Sequence, residues 1–223
     1  MKELYYVEAD GGVFTAKKEG KIVFPESTNE IPFEVQIEHK FELDNYTLVY
    51  FCTPKEFTHN PDWQIKDDLI YEDDVDKTVR KAIARTFPRL YSGAIVPNEL
   101  DEILLVHNIR GFAKDLWTLP GGFVQYSKIP EETAIRETKE EAGLEIEVDR
   151  SIRDGILYVH SRCCGKSGNH SVGFACLCKK TGGALKPKEG EIDAVEYHSK
   201  HNLPNETNRF TKLAVQRYTE RNN

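Results

Sequence analysis

The sequence predicts an α/β fold, a mixed β-sheet between helices, preceded by a smaller β-rich segment. Three observations predict it. Short apolar or alternating runs of strand length recur along the chain, helical spacing of apolar residues is confined to three stretches, and a proline-bearing acidic tract near residue 60 separates the two patterns. At 223 residues the chain is long enough for one large domain or two small ones, and its 39% hydrophobic content can fill a sizeable core.

Val13-Phe14, Ile22–Phe24, Ile31–Ile37 and Tyr46–Cys52 read as strands, broken by Gly11-Gly12, Gly20 and Asp44-Asn45. Pro54, Pro61 and the acidic run after them end that pattern. From Asp74 to Phe87 the spacing of Val75, Val79, Ala82 and Ile83 predicts an amphipathic helix, stopped before Pro88. Residues 1–85 are therefore expected to form a β-rich N-terminal domain or extension, and 86–223 a second domain. Phe14, Phe24, Phe33, Leu48 and Phe51 call for burial, so the first segment is expected to dock, on the second domain or across a homodimer, rather than trail as a free tail. Further on, Leu90–Val96 and Glu102–His107 predict a hairpin around Pro97-Asn98-Glu99. Trp117–Leu119 leads into Pro120-Gly121-Gly122. A helix is expected over Pro130–Ala142, with Ser127 as its cap, Pro130 in its first turn and Gly143 in the left-handed position just past its end. Strands are expected at Glu145–Val148, Gly155–Val159, Ser171–Cys178 and Val195–His198, and a last helix at Thr207–Thr219.

Composition excludes several classes. Acidic residues outnumber basic ones 37 to 30, a formal charge of −7, and no cluster of Lys and Arg stands out, so no nucleic-acid or membrane partner is indicated. The longest apolar run, Tyr46–Cys52, is far short of the ~20 residues that span a bilayer. Five cysteines, an odd and sparse count, argue for reduced thiols, and the opening Met1–Gly12 lacks the apolar stretch of a signal peptide; a cytoplasmic location is the expectation.

The chemistry concentrates in Gly121–Leu144. At ~100° per residue Glu140 and Glu141 lie about −60° and +40° from Glu137, so three carboxylates share one helix face, while Ile135, Thr138 and Ala142 mark the side expected to bury. Carboxylates so crowded repel one another and call for a cation; hard oxygen donors in that number suit Mg²⁺ or Mn²⁺. Arg136, four residues before Glu140, can orient a carboxylate. Gly121 and Gly122, following Leu119-Pro120, form a backbone that can approach a phosphate or offer a carbonyl to a metal.

This stretch resembles the box of the MutT-like Nudix hydrolase family, G-x5-E-x7-R-E-U-x-E-E-x-G-U with U apolar. Gly122, Arg136, Glu137, Glu140, Glu141, Gly143 and Leu144 match at the right spacings, and Trp-Thr-Leu-Pro-Gly-Gly is the usual approach to it. Two positions depart: Lys128 stands where the pattern has its first glutamate, and Thr138 where it has an apolar residue. The resemblance implies a Nudix-type α/β/α sandwich over roughly 88–223 and metal-dependent hydrolysis of the pyrophosphate bond in a nucleoside diphosphate linked to another moiety. It implies Glu137, Glu140, Glu141 and the Gly121 carbonyl as ligands of Mg²⁺ (or Mn²⁺), Arg136, Glu137 and Glu141 as catalytic, and one more glutamate from a late loop, for which Glu189 and Glu191 are the candidates. Gly122 and Lys128 are candidates for contact with substrate phosphate. Because Lys128 reverses a charge, a catalytically weak nucleotide-binding sensor or interaction domain is the alternative. The markers of NADH pyrophosphatases and of many ADP-ribose pyrophosphatases are absent after the box, while Tyr158 lies near a tyrosine of dinucleoside polyphosphate hydrolases, so the nucleotide substrate is left open.

Two other groupings carry possible chemistry. Cys163-Cys164, Cys176, Cys178, His160 and His170 could hold zinc, yet Val172, Phe174, Cys176 and Cys178 alternate as one strand face, where thiols act as small hydrophobes. Phe112, Trp117 and Tyr158 could stack on a base, although core packing explains Trp117 as well.

Overall fold

In a computed structural model, residues 1–56, 63–152, 155–162 and 170–221 are described, the side chains of 161 and 162 excepted. The chain divides into two compact units, Met1–Pro88 and Arg89–Ser161 with Ser171–Asn223.

The first unit is built on a five-stranded sheet. Its strands are β1 (Lys2–Ala9), β2 (Gly12–Phe14), β5 (Val35–Asp44), β6 (Thr47–Pro54) and β7 (Gln64–Ile65), in the order β5-β6-β1-β2-β7. The short β3 (Ala16–Lys18) and β4 (Lys21–Val23) pair separately. The central strand β1, parallel to β6, is not among the sequence expectations, although Leu4 and Tyr6 alternate inward as a strand requires. Helix α1 (Lys77–Thr86) starts on Asp76, whose side chain accepts from the Thr78 N–H. Its apolar stripe, Val79, Ala82 and Ile83, packs with Leu4, Tyr6, Phe24, Phe41 and Val49, while the opposite sheet face carries Val7, Cys52 and Trp63. The unit thus has its own core, each large buried side chain worth about 1.5–3 kcal/mol.

The second unit carries two sheets. One is β11 (Gly121–Phe123), β8 (Arg89–Ile95), β14 (Ser171–Gly183) and β12 (Leu144–Val148), with β13 (Ile156–Arg162) also paired to β14; the other is β10 (Trp117–Thr118), β9 (Glu102–Asn108) and β15 (Ile192–Ser199). Helices α2 (Pro130–Ala142) and α3 (Arg209–Arg221) flank them. Strand alternation shows the layers. Ala94, Leu104, Val106, Cys176 and Cys178 share a core with Ala134 and Ala142 of α2, whereas Ile95, Ile103, Leu105, Ala175 and Leu177 share one with Ala214 and Val215 of α3. Strands buried on both faces between helices make an α/β/α sandwich.

The expected hairpin of Leu90–Val96 with Glu102–His107 does not form a ladder. The chain does reverse at 98–102, but pairing stops after Pro97 with Ile103 and the Leu104 N–H to Val96 carbonyl bond. The reason is that both edges of β8 are already taken, antiparallel by β11 and parallel by β14. Strand β9 therefore pairs with β10 and β15 instead.

Candidate active site

The site begins at the turn into β11. Pro120 accepts from the Ala94 N–H at 2.9 Å, and β11 lies against Tyr91–Gly93. A side chain at Gly121 would meet backbone, and one at Gly122 would displace the Glu137 carboxylate. A Cβ on Gly121 would come within 2.2 Å of the Ser92 carbonyl oxygen, and one on Gly122 within 2.2 Å of Glu137 Oε1. The absent side chain of Gly122 is what lets the Glu137 carboxylate rest on the strand.

Helix α2 delivers the carboxylates. Its cap is Ile129, whose N–H donates to Glu132 Oε2 at 3.3 Å; Ser127 is a left-handed turn residue and does not cap the helix. Ile135, expected inside, is 37% exposed, and Glu141, expected on an open face, is 6% exposed. The helix buries the stripe Ala134, Thr138, Glu141 and Ala142, spaced i, i+4, i+7 and i+8, which takes Glu141 inward and leaves Ile135 at the margin. Gly143 adopts the left-handed conformation at φ 76°.

Three groups hold the carboxylates. Arg136 donates from Nη2 to Glu137 Oε1 at 2.6 Å and from Nη1 to Glu140 Oε1 at 2.9 Å. The Gly121 N–H donates to Glu141 Oε2 at 2.9 Å. The loop between β14 and β15 supplies the third group. Its Lys186 and Lys188 N–H groups bond the Ala142 and Glu141 carbonyls, which the helix end leaves unpaired, and this brings Lys188 to Glu140 and Glu191. The Arg136 and Lys188 pairings hold the Glu140 carboxyl below its ordinary range. Glu191, held by Lys188 and Arg110, is likewise lowered. Burial pushes the Glu141 carboxyl up to about 8, with the charges of Glu137 and Glu191 adding to the shift.

Gly121, Gly122, Arg136, Glu137, Glu140, Glu141 and Glu191 are thus brought to one place. Lys128 is not: its ammonium lies 3.7 Å from Glu132 at the helix start. Glu189 is exposed and pairs with no described residue. Lys188, Arg110 and Tyr91 were missed by sequence reasoning. Tyr91, whose phenol burial and the nearby Glu141 and Glu137 raise above its usual range, donates to the Leu119 carbonyl at 3.4 Å. Of the zinc grouping, Cys163 and Cys164 lie outside the described residues, and Cys176 and Cys178 are free and buried.

The donor set is all oxygen, with one carboxylate buried and lacking a cationic partner, and such a set fits a hard divalent ion. Among the described residues no three His, Cys, Asp or Glu side chains converge as a ready cage; Glu137 and Glu140 are drawn instead onto Arg136 and Lys188.

A two-helix, two-sheet sandwich with an acidic helix facing a glycine turn defines a class that the comparisons make definite. A profile of the NUDIX domain matches residues 88–218, and the chain belongs to that family. It is 31% identical over 121 residues to the NAD-capped RNA hydrolase NudC of Pseudomonas fluorescens, covering 54% of this chain and 40% of that protein. It is 32% identical over 104 residues to an ADP-ribose pyrophosphatase of Methanocaldococcus jannaschii, covering 47% and 58%. The chain therefore spans less than two thirds of either relative. Among solved structures, a MutT NUDIX hydrolase from Burkholderia pseudomallei superimposes with a TM-score of 0.52 at 26% identity, covering 59% of this chain and 98% of that one. A MutT protein from Methanosarcina mazei shares the fold, with a TM-score of 0.52 at 18% identity over 60% of this chain and 96% of that one. Among the described residues no helix is long and apolar enough to cross a membrane.

Proposed function

We propose that the protein hydrolyses the pyrophosphate bond of a nucleoside diphosphate linked to another moiety, with Mg²⁺ or Mn²⁺ as cofactor. The observation that carries this reading is Glu137 and Glu141 set against the Gly121-Gly122 turn, with Glu140 and Glu191 tied to them through Arg136 and Lys188, and with Glu141 buried and, among the described residues, paired to a backbone N–H and to no cation. Family membership agrees with it, and the relatives named for NAD-capped RNA and ADP-ribose act on compounds that share a nucleoside diphosphate.

Each residue has a task in this reading. Glu140, Glu141 and the Gly121 carbonyl hold the cation, and Glu137 is a further ligand or the general base. Arg136 fixes Glu137 and Glu140 through its two forks, so neither searches for its position. When bound, a divalent ion neutralises phosphate oxygens and lowers the pKa of the attacking water. Gly122, having no side chain, seats the Glu137 carboxylate against the strand. Lys128 pairs with Glu132 away from the triplet, which supports a site whose charge the substitution leaves intact.

The test is a product screen over dNTPs, ADP-ribose, NADH, sugar nucleotides and dinucleoside polyphosphates, with Mg²⁺ and with Mn²⁺. Cleavage at a pyrophosphate bond, lost on chelation, is expected for at least one class. Failure to cleave any of them would leave the sensor alternative standing.

A further inference from the structure

Glu140 has both carboxylate oxygens committed. Oε1 accepts from Arg136 Nη1 at 2.9 Å, and Oε2 accepts from the Lys188 ammonium at 3.3 Å. The same ammonium lies 2.9 Å from Glu191 Oε2, which also accepts from Arg110 Nη2 at 2.8 Å. We propose that Lys188 is a tethered counter-ion of this carboxylate site, its ammonium standing in for part of the charge of a divalent cation, and that loading the cation requires Lys188 to release Glu140. The inference rests on the reading above that the site holds such a cation.

The two cations on Glu140 are not equivalent. Arg136 grips Glu137 as well, at 2.6 Å, and lies on the same helix, so it can keep orienting one oxygen while the other is freed. Lys188 reaches in from a different element on a flexible four-carbon stem and carries a compact, strongly hydrated charge that returns to water easily. Its backbone stays pinned by the N–H bond to the Glu141 carbonyl, so release moves only the side chain. A single positive charge within contact distance of Glu140 and Glu191 repels any other cation that uses the same oxygens. Its pairs are partly exposed, 36% on the lysine side, and solvent screening keeps pairs of this kind weak. Lys188 is therefore a competitor weak enough to be displaced.

The experiment titrates the full-length protein with Mn²⁺ alone and reads the free aquo ion by electron paramagnetic resonance. Lys188→Met and Lys188→Gln are expected to bind Mn²⁺ roughly twofold to thirtyfold more tightly than the wild type, the range set by the sum of two exposed pairs. Lys188→Arg should bind as the wild type does. Lys186→Met makes the same charge change in the same loop, at a side chain paired with no described residue, and should shift affinity less than twofold. Melting curves confirm that each variant is folded. Equal tightening in Lys186→Met would reduce the effect to net charge and overturn the assignment. So would unchanged or weaker binding in both Lys188 variants while the wild type binds, and that result would leave the metal reading intact. Absence of Mn²⁺ binding in every form would remove the metal reading and the inference together.

Discussion

Glu8 in the first unit and Glu141 in the second are both carboxylates largely withdrawn from water, and their surroundings differ in one respect. Glu8 accepts from the Tyr6 hydroxyl at 2.5 Å and from the Lys66 ammonium at 2.8 and 3.0 Å, with Lys66 itself only 14% exposed. Its charge is answered within the unit. Glu141 receives a backbone N–H and sits near two more carboxylates, Glu137 and Glu191, while the neighbouring cations are spent on other oxygens. A balanced cluster contributes stability and little else, because nothing is left to bind. An unbalanced one is costly until an outside cation arrives, which is the property a metal-dependent site requires.

The strongest way to break this contrast is to neutralise the unbalanced side. Glu141→Gln should lower turnover by roughly 10²–10⁴-fold while the melting temperature holds, since it removes a ligand and no ion pair, and Glu140→Gln should lower turnover as far with a small loss of stability from its partly exposed pairs with Arg136 and Lys188. A rate near wild type in either variant would end the assignment. Gly122→Ala should come next. Its methyl group would occupy the place of Glu137 Oε1, and a displacement of about 1 Å at such a group costs on the order of 10²-fold in rate. Steady-state kinetics with an unchanged circular dichroism spectrum checks it.

The balanced side should fail in the opposite manner. Glu8→Gln leaves the Lys66 charge under-compensated among Tyr6 and Phe87, and should cost roughly 3 kcal/mol of stability in the first unit, measured by urea unfolding, with chemistry at the second untouched. A smaller effect is expected at Asp101, which the hydrogen bonds from Lys200 and Tyr218 hold below its usual range. A depressed carboxyl stabilises the fold above its unfolded value of about 3.9 and loses that contribution as pH falls through the folded value. The unfolding midpoint of the wild type should therefore fall more steeply than that of Asp101→Asn as the pH drops below about 4. Smallest of all, Lys128→Glu should leave turnover unchanged or raise it slightly, because Lys128 touches Glu132 and not the triplet; a marked loss would give Lys128 a task on the substrate.

Local pattern made much of this molecule readable without coordinates. The helix over Pro130–Ala142, its left-handed Gly143, the inward alternation of Cys176 and Cys178 and the acidic triplet beside the glycine turn all follow from spacings within one turn or one strand. Those spacings also carried the family and with it the sandwich. What they could not carry was anything set by a partner distant in the chain. Helical angles placed Glu141 beside Glu137 and Glu140, but only the packing of α2 on β8, β11 and β12 decided that Glu141 turns inward and Ile135 does not. The hairpin at 97–101 failed because β14, some eighty residues later, occupies the edge of β8. Lys188, Arg110 and the choice of Glu191 over Glu189 depend on a late loop whose N–H groups satisfy the end of α2. Sequence determines which side chains a short element presents; the unpaired carbonyls and open strand edges it leaves are satisfied by segments far along the chain, and that pairing is decided only in the folded structure.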